Sequence, residues 1–179
     1  MNPRLEAAWE IHQFLAEHGL KYAIVGGIAV QRWSEPRFTR DVDLSVASPT
    51  SAGSADLVRL ITERFPSRSA APLDFARRTR MILVTASNGV DVDISLALPG
   101  YEDQLFAGTV DYEIESPEDL IIHKAVAGRP QDVSDIQGVI YRQGEKLDTA
   151  YIRRWLAAFA EALADPEVQE RFEAAGRSV

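Results

Sequence analysis

The stretch that most constrains this chain is Tyr22 to Val46, YAIVGGIAVQRWSEPRFTRDVDLSV. An apolar strand, Tyr22-Ala23-Ile24-Val25, runs into Gly26-Gly27 and then into a helical run ending near Trp33. A second strand, Asp41 to Val46, carries two carboxylates at i and i+2. Alternate residues of a strand share a face about 6.5–7 Å apart, so Asp41 and Asp43 look the same way. Like charges that close repel unless a cation neutralises them. A double glycine at a strand-to-helix turn lets a phosphate approach backbone N–H groups at the helix start. Together they describe a Mg²⁺-nucleotide site. Each signal also has a plainer explanation: a tight turn for the glycines, a solvated strand face for the acids. Their order and spacing, with thirteen residues between Gly27 and Asp41, favour the site.

The surroundings supply a third acid. Arg78 to Ala86 reads as a strand, Ser87-Asn88-Gly89 as a hairpin turn, and Val90 to Leu96 as the return strand. The return strand alternates, which puts Asp91, Asp93 and Ser95 on one face. Two-metal chemistry needs about three shared carboxylates, and Asp91 or Asp93 provides the third.

Gly-Gly, a spacer and then Arg37-Phe38-Thr39-Arg40-Asp41-Val42-Asp43-Leu44 resembles the nucleotidyltransferase superfamily, and within it the AbiEii-type branch that includes toxins of toxin–antitoxin systems. The resemblance covers about residues 20–140. It implies a mixed α/β (α+β) sheet flanked by helices, with a helical C-terminal tail. It implies Asp41, Asp43 and Asp93 as catalytic metal ligands for Mg²⁺ or Mn²⁺, Asp93 being favoured over Asp91 because Ile94-Ser95-Leu96 follows it. Gly26 and Gly27 would pack against the phosphates of a nucleoside triphosphate. Arg37 and Thr39 would touch the γ-phosphate or fix the loop. A downstream run, His123-Lys124 through Arg129 to Asp132-Val133-Ser134-Asp135, is similar to one in the same branch. There Lys124 and Arg129 would serve the nucleotide, and Asp132 and Asp135, one helix face apart at i and i+3, would hold them in place. Ordinary surface ion pairs in a helix–loop–helix would give the same pattern. The acceptor implied is a hydroxyl of the tRNA 3′ end, of a protein or of a small molecule. A cognate antitoxin is the further partner. The rival expectation is the same fold used as a binding or regulatory module without turnover.

The rest of the chain sets bounds. The 179 residues divide into an expected nucleotidyltransferase core, 1–115, and a helical region, 116–179. Residues 4–18 have helical spacing, and Ala55 to Phe65 reads as an amphipathic helix. Pro66 to Asp74 reads as irregular. A short helix is expected near 101–106 and a short strand near 110–114. Ser116-Pro117-Glu118-Asp119 starts a helix, with Ser as N-cap, Pro at the first position and an acid three residues on. Helices are also expected at 132–141, 148–163 and 166–174.

No cysteine is present, which excludes disulfides, thiolate zinc sites and a cysteine nucleophile. No apolar run reaches the length of a membrane span, and the first residues lack a signal-peptide core. The expected setting is cytoplasmic, with no membrane partner. A net charge of −8 argues against a duplex DNA surface. Charge is nonetheless segregated: six arginines lie between Arg59 and Arg80, and seven acids with no Lys or Arg between Tyr101 and Asp119. The dinucleotide fingerprint and the P-loop are absent, as is a nucleophile elbow.

Overall fold

The computed structural model describes residues 2–35, 38–48, 53–97, 100–109 and 113–177. The chain forms two compact units, Met1–Ile28 with Phe38–Ile114, and Ala29–Arg37 with Glu115–Val179.

The first unit is built on a four-stranded sheet. Its elements in order are α1 (Pro3–Glu17), β1 (Tyr22–Val25), the first turn of α2 (Gly26–Trp33), β2 (Val42–Val46), α3 (Gly53–Arg64), α4 (Pro72–Thr79), β3 (Met81–Thr85), β4 (Asp91–Leu96) and α5 (Tyr101–Ala107). The sheet order is β1-β2-β4-β3. β1 runs antiparallel to β2, β4 runs parallel to β2, and β3 antiparallel to β4.

The pleat sorts these strands into two faces. Ile24, Val42, Leu44, Val46, Val92, Ile94, Ile82 and Val84 are buried with Ala8, Ile11 and Leu15 of α1 and with Val58, Ile61 and Phe65 around α3. Those apolar positions leave Asp43, Ser45, Asp93 and Ser95 on the opposite face, because side chains alternate along a strand. Register is therefore strongly held: a slip of one residue would drive Asp43 and Asp93 into this core. Ile94 is fully buried at its centre. Ile94→Val should cost about 1 kcal/mol of stability, measured as a lower urea midpoint with an unchanged slope.

One segment departs from the sequence expectation. Residues 72–79 form helix α4, where 66–74 is expected to be irregular and the strand is expected from Arg78; the strand begins at Met81. The signals are local: Pro72 at the helix start, Asp74 in the first turn, and Arg77 and Arg78 in the last. Arg80 then turns the chain in a left-handed conformation, φ 56°, and its N–H caps the Ala76 carbonyl. Its guanidinium also donates to the Leu96 and Ala97 carbonyls. The strand expected near 110–114 lies partly outside the described residues. At its described end, Ile114 forms a parallel bridge with Ile24.

The second unit holds the rest of α2 and the helices α6 (Pro117–Ala127), α7 (Pro130–Gln143), α8 (Thr149–Leu163) and α9 (Glu167–Arg177). α6 supplies a continuous apolar stretch, Leu120, Ile121 and Ile122, all fully buried. A helix hydrophobic on several faces needs neighbours on several sides, and α7, α8 and α9 all pack against α6 or one another. Ser116 caps α6 as its sequence foretells, its hydroxyl accepting from the Asp119 N–H at 3.1 Å. Gly128 closes the helix at φ 64°. Among the described residues no helix is long and apolar enough to cross a membrane.

Candidate metal centre

Asp43 of β2 and Asp93 of β4 are direct Cα partners in the parallel register. Both point away from the apolar core, so the pairing brings their carboxylates together on one face. Asp41 immediately precedes β2. One carboxylate oxygen from each of Asp41, Asp43 and Asp93 lies within 4.8 Å of the others, and all three residues are half-buried. Asp91, the rival third acid, sits one pleat further out with a side chain 52% exposed.

The two glycines shape this corner. Gly26 has φ +64° and packs so close to Asp43 that a Cβ there would lie 2.8 Å from the Asp43 carboxyl carbon. A Cβ on Gly27 would lie 2.6 Å from the Thr39 Cβ. The diglycine thus permits close approach by the side chains of the acid loop and strand. Thr39 is buried, and its hydroxyl lies 3.2 Å from both the backbone carbonyl and the carboxylate of Asp41. It fixes the loop that presents Asp41. Gly26→Ala should combine a left-handed strain of about 1–2 kcal/mol with displacement of Asp43. The expected result is a lower melting temperature together with weaker Mn²⁺ binding.

One residue at this site carried no positional signal in the sequence. Arg68, in the segment after α3, makes an ion pair with Asp93 and lies 3.4 Å from Asp91. In the sequence it is one of six arginines between Arg59 and Arg80, and nothing in its spacing relates it to a strand twenty-odd residues on. Burial pushes the Asp93 carboxyl up from its ordinary value. Arg68 opposes that rise, and the charges of Asp41 and Asp91 add to it.

Three clustered carboxylates offer only hard oxygen donors, the chemistry that suits Mg²⁺ or Mn²⁺. Asp41, Asp43 and Asp93 could hold such an ion.

Arg37 lies outside the described residues. The other expected residues belong to the second unit. Lys124 is 5% exposed, and its ammonium lies 2.9 Å from Asp132 and 2.9 Å from Asp135. Arg129 donates from Nε at 2.8 Å and from its backbone N–H at 3.0 Å to the other Asp132 oxygen. Asp132 thereby closes the start of α7 as the acid of a capping box does. The four charges sum to zero. Lys124, Asp132 and Asp135 form a buried ion cluster, while the Arg129 side chain, 73% exposed, joins it from the surface. Burial raises the Asp132 carboxyl, but the hydrogen bonds from Lys124 and Arg129 outweigh it and hold the group below its ordinary value. On the same helix as Lys124, His123 Nδ1 lies 2.7 Å from the fully buried Glu115 carboxylate, and the Glu115 backbone carbonyl accepts from the Trp33 indole at 2.7 Å.

No family sequence model matches the chain, and no curated protein matches it in sequence. Solved structures do match. An antigenic nucleotidyltransferase-like protein from Paracoccidioides brasiliensis aligns over 96% of this chain and 92% of its own, with a TM-score of 0.51 at 19% identity. The antibiotic-resistance factor ANT(2'')-Ia aligns over 90% of this chain and 95% of its own, with a TM-score of 0.51 at 18% identity. The mixed sheet flanked by helices is thus a nucleotidyltransferase-like fold.

Proposed function

We propose that this protein is a metal-dependent nucleotidyltransferase, moving a nucleoside monophosphate from a nucleoside triphosphate to a hydroxyl acceptor. The single observation that carries this is the convergence of Asp41, Asp43 and Asp93 from two adjacent parallel strands, on the face opposite the apolar core. Acids at such spacing repel, and a divalent ion among them would relieve that repulsion. When bound, a divalent ion would neutralise the triphosphate oxygens and align attacker with leaving group.

The residues divide the work. Asp41 and Asp43 would hold the ion that travels with the triphosphate. Asp93 would complete the ligand set and receive the proton of the acceptor hydroxyl as its oxygen bonds to the α-phosphorus. The α–β phosphoanhydride bond breaks and pyrophosphate leaves. Thr39 keeps Asp41 in place through its hydroxyl. Gly26 and Gly27 allow the backbone at the start of α2 to come close to Asp43 and Thr39, and the same openness would admit phosphate oxygens.

Candidate acceptors are the tRNA 3′ end and a protein hydroxyl. The protein would act as the toxin of a toxin–antitoxin pair only where that modification inactivates the tRNA or protein. The test is incubation with each α-labelled triphosphate, Mg²⁺ or Mn²⁺, and a pool of tRNA and protein. Metal-dependent label on one acceptor class, with pyrophosphate release, supports the proposal. Metal-dependent nucleotide binding without pyrophosphate release would instead mark a binding module.

A further inference from the structure

The arginine at the acid triad has a consequence for how many ions the site takes. Its position is built rather than incidental. The Arg68 backbone N–H donates to the Leu83 carbonyl at 2.9 Å, and the preceding Pro66 carbonyl accepts from Thr85 at 3.0 Å. Ser67 forms a bridge with Val84. The segment is therefore zipped onto the outer edge of β3. From there the side chain reaches across β3, with Nε donating to the Val84 carbonyl at 3.1 Å. The guanidinium ends on Asp93, with Asp91 beside it, and the side chain is only 29% exposed.

Arg68 lies on Asp93 with Asp91 beside it, so its single positive charge falls at the Asp93 end of the acid group. A second ion on Asp93 would have to approach a guanidinium already in contact with the same carboxylate. Cation–cation repulsion at such range is weakly screened in a half-buried site. The planar fork of the guanidinium also binds carboxylate geometry better than an ammonium does, so it does not yield the oxygen freely.

Resting on the metal-site reading above, we propose that Arg68 is a built-in counter-cation of Asp93. It stands in for a divalent ion at the third carboxylate, and so limits the resting site to a single ion. Arg68 is then a positioning residue: it acts on the metal through Asp93.

The test is Mn²⁺ titration of the full-length chain, followed by the paramagnetic resonance signal of free ion. Wild type should bind one Mn²⁺, and Asp43→Asn should lose it. Arg68→Met removes the charge and keeps much of the stem, and Arg68→Gln keeps an N–H donor for Asp93 or Val84 without charge. Each should bind Mn²⁺ at least tenfold more tightly or take up a second ion. Arg68→Lys, still charged, should stay within about threefold of wild type. Mn²⁺ should also raise the melting temperature of the neutral variants more than that of wild type, because the ion replaces the missing cation. If one neutral variant fails to fold, the other gives the answer. Asp43-dependent binding in wild type that is unchanged or weakened in the neutral variants overturns the inference and leaves the metal site standing. Absence of Asp43-dependent Mn²⁺ binding in every protein overturns both.

Discussion

Asp43→Asn should lower nucleotidyl transfer about 10³-fold or more while leaving the fold intact. The carboxylate contributes half of the strand's ligand pair, and its register partner across the parallel ladder is Asp93. In the reaction proposed above, losing one charged ligand would remove several kcal/mol of stabilisation from the divalent ion, and about 4 kcal/mol corresponds to a factor of about 10³. The amide has nearly the shape of the acid, so the close packing against Gly26 is kept. The measurements are pyrophosphate release with the best triphosphate and a thermal melt without metal. Transfer at the wild-type rate in this variant would show that the reaction runs elsewhere.

The second large effect concerns stability. Lys124→Met should destabilise the protein by about 3–5 kcal/mol, the usual cost of removing one partner from a buried ion pair. The reason is the pair of acids left behind: Asp132 and Asp135 are both nearly fully buried and both lean on the same ammonium. For a chain of this size that corresponds to a fall in melting temperature of about 10 °C. The network also sets an acid limit. The Asp132 carboxyl lies below its ordinary value when folded. Its contribution is therefore complete above the unfolded carboxylate value, about 3.9, and is lost as pH falls through the folded value. A urea-midpoint series taken downward from pH 6 should show this loss below about pH 4. The same series on Asp132→Asn should lack that component. A Lys124→Met melt within 2 °C of wild type would show that the ammonium carries no such burden.

The two acid groups were visible in the sequence for different reasons. Asp41, Asp43 and Asp93 stand out because strand alternation is a strict period of two: once Val42, Leu44, Val92 and Ile94 are assigned inward, the acids must point outward together. Lys124, Arg129, Asp132 and Asp135 stand out by spacing alone, and spacing does not report burial. Whether those charges face water or one another depends on the helices packed around α6, which lie up to fifty residues further along the chain. Helix α4 went unread because eight residues between a proline and a strand offer barely two turns of periodicity.

The sequence by itself determined the strands β1, β2 and β4, most helices of the second unit, the diglycine turn at α2, the outward acids on β2 and β4, and the Ser116 cap. All of these follow from local periodicity, φ preference or capping chemistry, which act within a few residues. Only the tertiary structure decided that β4 lies parallel beside β2 with Asp93 opposite Asp43, that Gly26 and Gly27 make room for Asp43 and Thr39, and that Arg68 sits on the third carboxylate. Each of these depends on strand register or on a side chain reaching over a neighbouring strand, and such distances are set by how the whole sheet packs.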